Sequence, residues 1–223
     1  LEHAKSLPDE LTARYRTWRG ETYAAQKDKY THLVTHGQSP SAMVISCCDS
    51  RVQATTIFGA DLGEFFIHRN IANLVPPFQP STDNHGTAAA LEYAVLVLQV
   101  KWLIVLGHAQ CGGVQGFLDM HYGKAPQLEN ETHFIGKWIS LLQPAFARLQ
   151  EKDKDNAPPP DDPIMPAALE REGVIMSLEN LLTFPFVQTA VTAGRLQLCG
   201  LWHDIGTGTL YYYDAQKGQF VEV

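Results

Sequence analysis

Residues 87–113 read TAAALEYAVLVLQVKWLIVLGHAQCGG. Ala88, Leu91, Ala94, Val95 and Leu98 recur at helical spacing, which predicts a helix from Thr87. After Lys101, residues 102–106 form a short continuous apolar run, the pattern of a strand buried on both faces. A second helix is expected after Gly113. Helix, buried strand, glycine-flanked turn and helix in succession are the parts of a parallel α/β layer.

Working outward, residues 41–47 give another short buried strand through Met43, Val44 and Ile45, and residues 64–68 a further apolar run that ends before Pro76-Pro77. Strand, strand, helix, strand, helix predicts an α/β fold, with a mainly parallel central β-sheet flanked by helices. Ahead of it, residues 8–35 read as helical, opening on Pro8-Asp9-Glu10. Arg19-Gly20 reads as a break, with a second helix over 21–35. This N-terminal helical arm is assigned to residues 1–36. Helix is expected over 131–150, then a charged, proline-rich surface loop over 151–163. Helices within 164–193 and strands at 196–203 and 209–213 complete one domain, 1–223.

The bulk composition excludes several classes. Hydrophobic residues make up 45% of the 223, and the formal net charge is -7. Lys and Arg are scattered, so no nucleic-acid footprint is present. No apolar run approaches the roughly 18 residues that cross a bilayer. The four cysteines, Cys47, Cys48, Cys111 and Cys199, are too sparse for a disulfide framework. A reducing, cytoplasmic location is the expectation. The first residue is Leu1, so removal of an upstream targeting piece stays open.

Two segments carry chemistry, and each follows a predicted strand, where ligands collect in such sheets. In Cys47-Cys48-Asp49-Ser50-Arg51, an extended backbone would turn Cys47, Asp49 and Arg51 one way and Cys48 the other. In His108-Ala109-Gln110-Cys111, an imidazole and a thiol stand three residues apart, with glycines on both sides. Singly, each reads as an ordinary core residue. Together they offer two thiolates and one imidazole, a set suited to zinc. Three strong protein ligands favour an open, catalytic site over a closed structural one. No Cys-x-x-Cys is present, which argues against a redox motif.

These segments resemble the Cys-x-Asp-Ser-Arg and His-x-x-Cys motifs of the β-class carbonic anhydrases. Residues 63–77 (GEFFIHRNIANLVPP), 177–181 (SLENL) and 200–208 (GLWHDIGTG) are similar to the same family, so the resemblance spans about 9–223. It implies one Zn2+ per subunit on Cys47, His108 and Cys111, with Asp49 and Arg51 as the catalytic dyad. It also implies reversible hydration of CO2 to bicarbonate and a proton, by hydroxide generated at the zinc. In the plant-type branch, Gln38, Phe66, Ile71, Tyr93 and Gly112 match the substrate pocket. Part of that lining comes from a partner subunit, so a homodimer is implied, with a tetramer or larger assembly open. A bacterial branch has tryptophan where Val44 stands, at an inhibitory bicarbonate site. Val44 argues against that site here, and Arg69 is read as structural.

Two thiolates acidify a zinc-bound water less than three imidazoles, so activity is expected to rise toward alkaline pH. His68, His85, His121 and His203 are candidate proton shuttles, none distinguished by sequence. Two alternatives share the zinc residues: a carbon disulfide or carbonyl sulfide hydrolase on this scaffold, and a structural zinc protein without catalysis.

Overall fold

The structure is a computed structural model that describes residues 3–80, 85–152 and 164–223. The chain divides into two compact units, Leu1–Ser39 and Pro40–Val223.

In the first unit, α1 (Asp9–Trp18) runs directly into one wider π-helical turn, Arg19–Tyr23, and α2 follows at Lys27–His36. The break expected at Arg19-Gly20 is therefore absent. Glycine costs only about 1 kcal/mol in a helix interior, so it weakens the helix without stopping it. The backbone departs from helix at Gln26 instead (φ -112°, ψ 13°). Trp18, Tyr23 and Tyr30 gather there, with Tyr23 and Tyr30 ring centroids 4.9 Å apart. Gly37, at φ 81°, ends α2. Gln38 follows it and is exposed.

In the second unit, six strands form one sheet among the described residues, in the order β2-β1-β3-β4-β5-β6. They are β1 (Ala42–Cys47), β2 (Phe65–Asn70), β3 (Trp102–His108), β4 (Gln197–Asp204), β5 (Thr209–Asp214) and β6 (Gln219–Glu222). The first four are mutually parallel, and β5 and β6 add an antiparallel hairpin at the edge. The mainly parallel sheet expected from the sequence is thus found. β6, only four residues long, was not expected. β1 is buried at every position, which is why it reads as a continuous apolar run.

Ten helices accompany these strands among the described residues of the whole chain. After α3 (Ala54–Ile57), α4 (His85–Glu92) continues as a π-helical turn through Val97. Its Leu91, Ala94 and Val95 are buried, on the face the spacing predicts. The helix α5 (Gly112–His121) starts directly after the second chemical segment. The long helix expected over 131–150 is in fact broken. It consists of α7 (Ile135–Ile139), a 3-10 turn and α8 (Gln143–Lys152), preceded by α6 (Gln127–Asn130). Pro144 lacks an N–H and fits only near a helix start, so it begins a new helix. The loop expected over 151–163 lies almost wholly outside the described residues.

The helices α9 (Ile164–Leu181) and α10 (Pro185–Thr192) follow. α9 lies close over β3 and β4 because two glycines clear its path. A Cβ on Gly107 would stand 2.6 Å from Val174, and one on Gly200 2.7 Å from Leu178. Among the described residues no single helix is long and apolar enough to cross a membrane.

Candidate active site

β1 ends at Cys47, β2 at Asn70 and β3 at His108, so the parallel strands deliver these residues to the same carboxyl end of the sheet. Cys47, His108 and Cys111 are all buried, and their ligand atoms lie within 4.8 Å of one another. The two sulfurs are 3.9 Å apart. Two thiolates on a tetrahedral zinc, at about 2.3 Å each, stand about 3.8 Å apart. His108 Nδ1 meets the Ala109 carbonyl at 2.8 Å. With the proton on Nδ1, the Nε2 lone pair is free, and this buried atom has no hydrogen-bond partner among the described residues. An orphaned imidazole nitrogen beside two thiols fits a metal ion, and zinc by its sulfur-rich donor set.

The two thiols are close enough to share a hydrogen bond. Donation from Cys111 lowers Cys47 well below the ordinary thiol range, and the same contact raises Cys111. The Ala72 N–H also points at Cys47 Sγ, at 3.4 Å. The N–H groups of Gly113 and Val114, in the first turn of α5, favour the Cys111 thiolate.

The dyad is assembled by a turn and not by the extended backbone expected from the sequence. The strand stops at Cys47, and the Val52 N–H closes back onto the Asp49 carbonyl at 3.1 Å. Asp49 Oδ1 caps the Arg51 N–H at 2.9 Å, a local side-chain turn that competes with strand pairing. The grouping of Cys47, Asp49 and Arg51 survives, and Cys48 is exposed. Arg51 grips Asp49 with Nε on Oδ1 at 2.9 Å and Nη2 on Oδ2 at 2.7 Å. The guanidinium holds the Asp49 carboxyl well below the usual carboxylate range. Asp49 Oδ2 lies 4.0 Å from His108 Nε2, beside the three ligand atoms. Arg69 donates to the carbonyls of Cys47, Asp49 and Val52, so it holds the loop from behind.

The pocket residues separate into two groups. Ile71 stands next to Gly113 in the loop that carries Ala72. A Cβ on Gly112 would meet nothing within 4 Å, so open space adjoins the Cys47–His108–Cys111 cluster there. Phe66 and Tyr93 instead pack on one another, with centroids 5.8 Å apart. Phe66 lies four residues before the site end of β2, about 13 Å away at a strand's rise per residue. Gln38 belongs to the first unit. Val44 is wholly buried within β1.

Among the shuttle candidates, His68 meets Thr87 Oγ1 at 3.0 Å, and burial lowers its pKa. His121 is packed among Phe117, Tyr122 and Phe146. His203 is the register partner of His108, and burial lowers its pKa too. The side chain of His85 lies outside the described residues.

Several supporting residues were not anticipated. Ala72 and Asn73 have φ of 61° and 50°, a left-handed pair held by two contacts between Asn70 and Leu74. Trp138 Nε1 donates to the Ile71 carbonyl at 2.8 Å. Glu170, buried in α9, accepts from the Cys111 N–H and from Trp202 Nε1, while burial raises its pKa. None of these positions is a glycine, and Trp138 and Glu170 lie outside the family-like stretches. A buried acid in Leu-Glu-Arg-Glu reads as part of a solvated face.

A family model described as carbonic anhydrase matches residues 42–210. The chain is 40% identical over 201 residues to beta carbonic anhydrase 3 of Arabidopsis thaliana, covering 90% of this chain and 74% of that relative. Its fold is similar to the solved structure of the beta-carbonic anhydrase CcaA. The TM-score there is 0.83 at 28% identity, covering 96% of this chain and 98% of that one. It is also similar to a tetrameric beta-carbonic anhydrase of the ascomycete Sordaria macrospora. In that case the TM-score is 0.74 at 27% identity, covering 91% and 94%.

Proposed function

The chain belongs to the β-class carbonic anhydrases, and on that footing we propose that it hydrates CO2 to bicarbonate and a proton at a zinc centre formed by Cys47, His108 and Cys111. The observation that carries this reading is the buried cluster of two sulfurs and an orphaned His108 Nε2, with the Asp49–Arg51 pair at its side. Bound there, zinc would supply a Lewis acid that lets water act as a nucleophile near neutral pH.

The protein's own residues then orient the reaction. Asp49 Oδ2 accepts a hydrogen bond from the attacking water and turns its lone pair toward the carbon of CO2. Arg51 keeps Asp49 ionised and pointing at the site through its two-point grip. Because both Asp49 oxygens are engaged by Arg51, the carboxylate stays beside the ligand set and not in it. Ile71 offers an apolar wall to an apolar substrate, and Gly112 leaves room for it.

The homodimer is part of this reading. Phe66 stands about 13 Å along β2 from its site end, and Tyr93 packs on Phe66 and not on the cluster residues among the ring contacts of the described residues. Tyr93 is 44% exposed and continuous with Leu96 and Val97, which are 52% and 62% exposed. Such a stripe suits burial against a second copy, whose pocket these aromatics would complete. A reducing, cytoplasmic setting remains part of the proposal, since both ligand sulfurs must be thiolates.

Stopped-flow CO2 hydration, on protein of measured zinc content, tests the function. Turnover proportional to zinc, and lost in Asp49→Ala at unchanged zinc, is the expected result. Sulfide release from carbon disulfide or carbonyl sulfide with negligible CO2 hydration would favour the hydrolase. Full zinc with no turnover of any of the three would favour a structural metal.

A further inference from the structure

We propose that Glu170 is a positioning residue for the metal site, fixing the Gln110–Cys111 peptide so that the Cys111 thiolate and Arg51 keep their places. This inference rests on the zinc reading above. It starts from the backbone. Gln110 sits at φ 56°, a left-handed conformation that a non-glycine residue adopts only when its surroundings hold it there. The peptide that follows is held at both ends. Its carbonyl, on Gln110, accepts from Arg51 Nη2 at 3.0 Å. Its N–H, on Cys111, donates to Glu170 Oε1 at 2.9 Å. One peptide therefore joins the dyad on the open side to a carboxylate, 4% exposed, on the buried side.

Glu170 is itself held. Trp202 Nε1 donates to its other oxygen at 3.1 Å. The Trp202 ring is covered by the Arg171 guanidinium, 4.0 Å from its centroid. The reach is set by packing. Val174, one helical turn after Glu170, lies against Gly107 and Gly200, so α9 approaches the ends of β3 and β4 closely. A buried N–H that loses its acceptor is expensive, and in the zinc reading that N–H belongs to a ligand. Partners of this kind are typically worth 10- to 100-fold in metal affinity.

The test reads the metal and not turnover. Zinc affinity is measured by competition with a chromophoric chelator, and the Co2+ form by its thiolate charge-transfer bands. Glu170→Leu is expected to lose at least tenfold in zinc affinity and to shift the cobalt bands. Glu170→Gln keeps an oxygen for Cys111 but turns an amide donor onto Trp202 Nε1. It should bind severalfold more weakly than wild type, and adding Trp202→Phe should restore affinity to within about threefold and the bands to their original position. That rescue separates the hydrogen bond from mere packing. If Glu170→Leu does not fold, the Glu170→Gln pair decides alone. Wild-type affinity and bands in Glu170→Leu, or no rescue of Glu170→Gln by Trp202→Phe, overturns the proposal. Failure of the wild-type protein to bind zinc overturns the zinc reading instead, so the two failures are distinct.

Discussion

Arg51 binds Asp49 at two points, Nε to Oδ1 at 2.9 Å and Nη2 to Oδ2 at 2.7 Å, beside the cluster of Cys47, His108 and Cys111. A lysine keeps the charge but offers a single point of attachment. Arg51→Lys also loses the reach to the Gln110 carbonyl. We expect CO2 hydration to fall about 100-fold, the typical cost of a misplaced group, with zinc content unchanged. Stopped-flow rates and metal analysis on the same sample check this.

Zinc held by Cys47, His108 and Cys111 would bind the folded chain in preference to the unfolded one. A ligand present at 100 times its dissociation constant contributes about 2.7 kcal/mol to stability. Stripping zinc with a chelator should therefore lower the urea midpoint, and stoichiometric zinc should restore it. Identical curves for the stripped and reloaded protein would show that the cluster does not bind the ion in the folded state.

Gly113 has no room for a side chain. A Cβ there would stand 2.7 Å from Ile71 Cγ2 and 3.1 Å from Ala72 Cβ. Gly113→Ala must push the loop that aims the Ala72 N–H at Cys47. Overpacking of this kind costs about 1–3 kcal/mol, or roughly 2 to 12 °C in melting temperature. Hydration should fall further than stability alone explains, because the loop touches a ligand. Calorimetry with rates measured well below the melting temperature separates the two effects.

His68 gives a pH dependence whose sign can be worked out. Burial pushes its folded pKa below the ordinary histidine value, so between those values the unfolded chain binds a proton that the folded chain refuses. Stability contributed by neutral His68 is present above about pH 6.5 and declines as pH falls toward the folded pKa. His68→Gln should flatten the fall in urea midpoint between pH 8 and pH 5.5. Parallel wild-type and variant profiles would contradict this.

The parallel layer was legible because β1 and β3 are buried on both faces, which leaves unbroken apolar runs in the sequence. Cys47, His108 and Cys111 were legible because each follows such a run. The turn at Asp49 was not, since a side-chain cap on the Arg51 N–H looks the same in sequence as one more extended residue. Glu170 was invisible for a different reason. Its partner is a backbone N–H 59 residues away, and backbone groups carry no sequence signal. Ala72, Asn73 and Gln110 adopt left-handed conformations that glycine usually advertises. In Phe66 and Tyr93, apolar character was readable, but their packing on one another was not.

Zinc K-edge X-ray absorption on the purified protein addresses the centre of this account most directly. Two sulfur scatterers near 2.3 Å and one imidazole nitrogen near 2.0 Å, at one zinc per chain, are predicted, with one sulfur lost in Cys111→Ser. A spectrum of nitrogen and oxygen alone, or one unchanged in Cys111→Ser, would contradict it.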